Sequence, residues 1–137
     1  MGHLDKLKIS RRVLATASAR QKLETVEYRR QKLIANVEEQ IELVRLAEQK
    51  KPLLLKRKRG HKIVSVRPRL WWKTEPDNLI YTQIRYNKIP LNIAGQGNSI
   101  EVGSLRKLPA VYRTVIKAIK AGELDNAIES AVKKSKV

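Results

Sequence analysis

From Ala19 to Gln49 the chain runs without a glycine or a proline, and apolar residues recur at three- and four-residue steps: Leu23, Val26, Leu33, Val37, Ile41 and Val44. That spacing places them on one face of an α-helix. Pro52 lies just beyond, where a helix must already have ended. One long helix over residues 19–50 is therefore predicted. Its charges run the wrong way for a helix dipole, with Arg20, Lys22, Arg29, Arg30 and Lys32 first and Glu38, Glu39, Glu42 and Glu48 last. Two arrangements would relieve this. An antiparallel second copy crossing near Ala35 would set Lys32 against Glu39 and Arg29 against Glu42, making the helix around residues 23–44 a homodimerisation element. Alternatively, the acidic half folds back on the basic residues 50–62 of its own chain.

After Lys62 the period drops to two. KIVSVRPRLWWK alternates Val64, Val66, Leu70 and Trp72 with Arg67, Arg69, Trp71 and Lys73. Pro68 removes one ladder donor, which predicts an edge or bulged strand. Glu75-Pro76-Asp77-Asn78 is turn chemistry. LIYTQIRY then places Ile80, Thr82, Ile84 and Tyr86 on one face and Leu79, Tyr81, Gln83 and Arg85 on the other. Asn87-Lys88 suits a tight hairpin. IPLNI gives a third strand, with Ile89, Leu91 and Ile93 inward, and SIEV a short fourth. Two short helices follow, one with Pro109 in its first turn and stopped by Gly122, the other from about Glu123 to Lys134. The predicted fold is α+β: a long N-terminal helix, a three- or four-stranded antiparallel meander, and two short C-terminal helices packed on the sheet. Residues 1–18 read as a basic arm and 51–61 as a basic linker, leaving 62–137 for the meander and its helices.

Charge decides the class of partner. Thirty Lys and Arg against thirteen Asp and Glu leave +17, and residues 49–100 hold twelve of those cations against only Glu75 and Asp77. Such a surface repels itself unless an anionic partner is present, and nucleic acid is the default. A membrane surface fits less well, because the basic stretch is not an amphipathic helix. No apolar run has the length of a signal-peptide core or a membrane span. The Met-Gly start lacks the Ser or Thr that myristoylation needs at position 6, which is Lys6. The absence of cysteine excludes disulfides and thiolate metal sites.

The candidate site joins the run Lys56, Arg57, Lys58, Arg59 and Lys62 to the exposed face of the meander, where Arg67, Arg69, Trp71, Lys73, Tyr81, Gln83, Arg85 and Lys88 are expected. Cations neutralise phosphates and release counterions. Aromatic rings stack on unpaired bases, and Arg and Gln read base edges. The bland alternatives are a solvated loop and an ordinary wet sheet face with Trp71 capped by a neighbouring helix. The basic run also matches a nuclear-localisation patch, with nothing else pointing that way.

No catalytic constellation is visible. His3 and His61 are far apart, and His61 sits among cations that repel metals. Gly95-Gln96-Gly97 has no matching glycine downstream and reads as a turn. A helix-turn-helix over residues 109–134 would present Glu123, Asp125 and Glu129 to DNA, which repels it. The chain is therefore expected not to be an enzyme and to need neither cofactor nor metal.

The segments RRQKLIANVEEQIELV, LWWK, LIYTQIRYNKIPLNIA, NSIEVGSL and IKAGELD resemble a family of small uncharacterised proteins from proteobacterial phages and prophages. The resemblance implies an origin in phage or mobile DNA, hence the cytoplasm of a bacterial host, and transfers no site residue. Three functions follow as expectations. The first is a non-enzymatic nucleic-acid-binding protein, DNA ahead of RNA. The second is a phage protein that binds and inhibits a host defence or gene-expression complex. The third is a basic virion component.

Overall fold

The computed structural model describes residues 17–93, 95 and 97–135, with side chains described from Thr25 onward. The basic arm predicted over residues 1–18 lies outside these except for its last two residues, which are already helical. Helix α1 spans Ala17–Glu48. Its buried residues are Leu33, Ile34, Val37, Gln40, Leu43 and Val44. The chain leaves α1 through a Schellman turn: Lys50 N donates to Ala47 O at 3.1 Å and Lys51 N to Leu46 O at 2.9 Å. Lys50 itself takes the left-handed position, φ +54°.

The chain is α+β, as its periodicities predict, but the meander is broken into three small antiparallel sheets. Strands β1 (Leu55–Arg59) and β2 (Lys62–Val66) form a hairpin. Strands β3 (Trp72–Thr74), β4 (Ile80–Thr82) and β7 (Ile100–Gly103) form a sheet in the order β3-β4-β7. Strands β5 (Arg85–Tyr86) and β6 (Ile89–Pro90) form a second hairpin. Residues 51–61, expected as a linker, thus contain a strand. Gly60 and His61 make its two-residue turn, with Gly60 at φ +63°, the first-position glycine of a type II′ hairpin. The long strand expected from Lys62 to Lys73 divides at Pro68, which has no N–H to give a ladder. Asn87 and Lys88 both have positive φ, +49° and +68°, as a type I′ hairpin requires.

The core lies where α1, α2 (Leu108–Lys120) and α3 (Asp125–Ser135) meet β4, β5 and β7. Ile80, Thr82, Ile84 and Tyr86 are all buried, so the inward face of LIYTQIRY is as its alternation predicts. α2 packs chiefly along α1 rather than on the sheet, while α3 meets β5 and β6. The apolar stripe of α1 from Leu33 to Val44 is therefore covered within the chain. Tyr112 of α2 is fully buried, and its hydroxyl is 2.8 Å from Thr82 Oγ1. Thr82 Oγ1 donates to Trp71 O at 2.9 Å, so its single proton is committed and Tyr112 is the donor of the pair.

α2 also ends in a Schellman turn, with Gly122 N donating to Ile119 O and Glu123 N to Ala118 O, both at 3.0 Å. Gly122 has φ +81°, and a Cβ there would come within 2.8 Å of Arg30 Nη2. That guanidinium holds Asp125 at the start of α3, Nε to Oδ1 at 2.9 Å and Nη2 to Oδ2 at 2.5 Å. Gly122→Ala should therefore destabilise the chain by about 1–3 kcal/mol. Lys50→Gly, at the same position of the same motif, should stabilise it by about 0.5–1 kcal/mol. Urea midpoints at unchanged slope measure both.

Burial pushes the Tyr112 phenol far above its ordinary range. The native state then keeps a proton that the unfolded chain gives up above about pH 10. This contribution to stability is complete below that pH and is lost as pH rises further. Tyr112→Phe should cost about 1 kcal/mol at neutral pH. Its denaturation midpoint should fall less steeply than the parent's above about pH 10.

Candidate nucleic-acid interface

The β1–β2 hairpin has two unlike faces. Cross-strand partners Leu55 and Val66, and Arg57 and Val64, share one face with Arg59 and Lys62. Leu55, Val64 and Val66 are half-buried there, and Arg57 Nη2 donates to Glu39 Oε2 of α1 at 2.7 Å. This face leans on the body of the protein. Lys56 and Lys58 lie on the other face with Ser65 and Ile63, and Ile63 is 73% exposed. Among the described residues Lys56, Lys58, Arg59 and Lys62 have no ion-pair partner. The hairpin otherwise packs mainly on itself.

Pro68 to Trp71 forms no strand, and its backbone is held instead by a side chain. Gln40, 3% exposed in the apolar stripe of α1, donates from Nε2 to Arg69 O and accepts from Trp71 N at Oε1, both at 3.0 Å. On the other side Trp71 O accepts from Thr82 Oγ1 at 2.9 Å and from Gln83 N at 3.0 Å. Trp71 is thus fixed from both α1 and β4.

Two depressions open on either side of this segment. The first, of about 340 Å³, is lined by Arg69, Trp71, Trp72, Lys73, Glu75, Tyr81, Gln83 and Arg85. The second, of about 300 Å³, is lined by Lys32, Glu39, Arg57, Arg69, Trp71, Arg85 and Lys88. Arg69, Trp71 and Arg85 line both and form their common wall. The fold therefore brings together all the predicted residues of the meander except Arg67, and joins them to Arg57 of the hairpin. Arg67 sits apart, beside Lys51, Leu53 and Leu70. Lys56, Lys58, Arg59 and Lys62 extend beyond the depressions on the hairpin.

Arg85 is the most unusual cation of the set. Its Nη2 donates to Gln83 Oε1 at 2.6 Å and its Nη1 to Lys88 O at 3.1 Å, both neutral acceptors. Its Nε is buried without a partner among the described residues. Desolvation, and then the charge of Arg69, draws its pKa below the ordinary guanidinium range. It stays charged at neutral pH. A half-buried guanidinium beside a second one, with no carboxylate on either, is an electrostatic cost that an incoming anion removes.

Not every predicted side chain stands free. Gln83 positions Arg85 and lies near Asn98 and Ser99, so its amide is engaged. Lys73 pairs with Glu75 at 3.1 Å. Tyr81 donates to Asp77 Oδ2 at 2.9 Å, and that bond raises its pKa. Gln40, Trp72 and Lys32 are additions. Lys32 Nζ donates to Asn87 Oδ1 at 2.9 Å and lies 5.1 Å from the Tyr86 ring centre. Gln40 was visible as the one polar residue in the series Leu33, Val37, Gln40, Val44, which keeps helical spacing.

Among the described residues no group of three or more His, Asp or Glu is placed to hold a metal ion, and no helix is long and apolar enough to cross a membrane. No protein-family model matches the chain, and no curated protein or solved structure is significantly similar to it.

Gln40→Leu keeps the helix and the approximate volume but strips Trp71 N–H and Arg69 C=O of their partner. It should destabilise the chain by about 2 kcal/mol or more, at about 1–3 kcal/mol per orphaned group. Tryptophan emission should shift to the red as the Trp71 segment loosens, which fluorescence-monitored unfolding would record.

Proposed function

We propose that this chain is a non-enzymatic nucleic-acid-binding protein of phage type, with DNA the favoured target. The observation that carries this reading is the basic hairpin, where Lys56, Lys58, Arg59 and Lys62 project on a two-stranded ribbon without ion pairs among the described residues. A β-ribbon is one of the two elements that fit the major groove, which is about 12 Å wide. Cations on a ribbon follow a phosphate backbone at regular spacing, and each phosphate neutralised releases a counterion. The continuity of this ribbon with Arg57, Arg69, Arg85 and Lys88 supports one extended anionic ligand rather than a small one.

Fluorescence anisotropy with labelled single- and double-stranded DNA and RNA over a salt series tests the proposal. Binding to duplex DNA should weaken steeply with salt, by a slope of about 0.9 per phosphate contact. Replacing Lys56, Lys58, Arg59 and Lys62 together by Ala should weaken binding to every sequence and lower the slope by about 1 per contact removed. Unchanged affinity and slope in that variant would reject the hairpin as the grip. Binding that vanishes at physiological salt would point instead to an acidic protein partner, such as a host defence or gene-expression complex.

A further inference from the structure

The geometry points to a second, separate function of the interface: the cleft between Trp71, Tyr81 and Arg85 receives an unpaired nucleotide, so the protein prefers DNA that carries a single-stranded extension beside its duplex. This rests on the nucleic-acid reading above and extends it from phosphates to bases.

Both tryptophans of the chain line the first depression, with Tyr81. Its volume of about 340 Å³ falls at the small end of ligand pockets, and it is open on one side. A paired base cannot enter such a cleft, because its rings are stacked in the duplex. An unpaired base can, and aromatic walls give it a stacking partner regardless of sequence. Phosphate chemistry is supplied at the wall shared with the second depression. There Arg69 has no ion pair among the described residues, and Arg85 is committed only to neutral oxygens. Gln83 and the Lys88 carbonyl hold the Arg85 guanidinium in place before any ligand arrives. Preorganised donors of this kind favour an anion without a further ordering cost. Of the acids nearby, Glu39 and Glu75 are each paired with a cation, Arg57 and Lys73, and Asp77 accepts from the Tyr81 hydroxyl. A strand leaving a duplex held on the hairpin would pass Arg57, then Arg69 and Arg85, and reach the aromatic cleft last.

The two tryptophans make the cleft directly observable, since both line it, with Trp71 also on the wall shared with the second depression. The test uses the full chain with a blunt labelled duplex, the same duplex with a short unpaired thymidine extension at either end, and free thymidine monophosphate. Anisotropy reads total binding and tryptophan emission reads the cleft. The extended duplex should bind about 5- to 150-fold tighter for one stacked base. It should quench tryptophan emission beyond the level reached with the saturated blunt duplex. Arg69→Gln, whose side chain is exposed and whose backbone keeps its bonds to Gln40, should weaken the extended duplex more than the blunt one, so that most of that preference is lost. Equal affinity for blunt and extended duplexes, with unchanged tryptophan emission at saturation, would overturn the cleft and leave the hairpin grip standing. Quenching by the free monophosphate at the same concentration as the extended duplex would overturn the preference for a strand. No binding of any nucleic acid at low salt would overturn both readings.

Discussion

Gln40 holds the rest of the structure in relation. Its primary amide carries both a donor NH2 and an acceptor carbonyl, and the stretch from Pro68 to Trp71 takes one bond of each kind. That stretch belongs to no strand, because Pro68 interrupts the extended chain between β2 and β3. A side-chain amide from a helix thus completes what a sheet would otherwise supply. Buried backbone groups must find partners, and here a single residue satisfies two. The carbonyl of Trp71 is closed from the opposite side by Thr82, and Thr82 is tied in turn to Tyr112 of α2. A continuous polar line therefore crosses the core from α1 to α2, with Trp71 in its middle. An aromatic side chain at the rim of a cleft is useful for recognition only if its backbone is fixed, and this line fixes it.

The charges follow a different logic. α1 places cations before acids, against its dipole, and the structure relieves this inside the chain. Arg30 reaches Asp125 at the start of α3, where an acid also suits the dipole of that helix. Glu39 reaches Arg57, and Glu42 pairs with Arg45. The acidic half of α1 thus leans on the basic hairpin, one of the two arrangements foreseen from sequence. The apolar stripe that a second copy would have needed from Leu33 onward is already covered by α2. These exposed or half-exposed pairs contribute little each to stability, but one of them engages Glu39, the acid that lines the second depression. What remains unpaired is a strip of cations along the hairpin and the shared wall of the two depressions.

The alternation of LIYTQIRY was legible because its inward residues, Ile80, Thr82, Ile84 and Tyr86, contrast with polar neighbours. The turns at Pro76-Asp77 and Asn87-Lys88 were legible for the same local reason. Strand β1 was hidden because Lys56 to Arg59 are all cations, so no face contrast exists to show a period of two. The signal that remained was Gly60-His61, a two-residue glycine turn followed by Ile63 to Val66. The division of the meander was half visible in Pro68. Its completion by Gln40 was not, because a glutamine on a charged helix reads as surface unless the Leu33, Val37 and Val44 series is extended through it. The candidate site was nearly all named from sequence. What sequence could not provide was the engagement of Gln83 and Lys73, or that Arg85 has no ion pair among the described residues, since these depend on which loops meet.

The hairpin and the cleft differ physically in a way that suits different tasks. A two-stranded ribbon in water is marginal by itself, and this one carries cations on both faces. Its anchors are Arg57 on Glu39 and the half-buried Leu55, Val64 and Val66. Repulsion among Lys56, Lys58, Arg59 and Lys62 therefore opposes the same ribbon that displays them. A polyanion laid along it removes that repulsion, so binding and hairpin order reinforce each other. The cleft is the opposite case. Trp71 is held by Gln40, Thr82 and Gln83, and Arg85 by Gln83 and Lys88, before any ligand is present. On the proposed reading, a ribbon that is marginal by itself would gather a phosphate backbone beside a preorganised cleft that would accept only a base free of its stack, separating capture from discrimination.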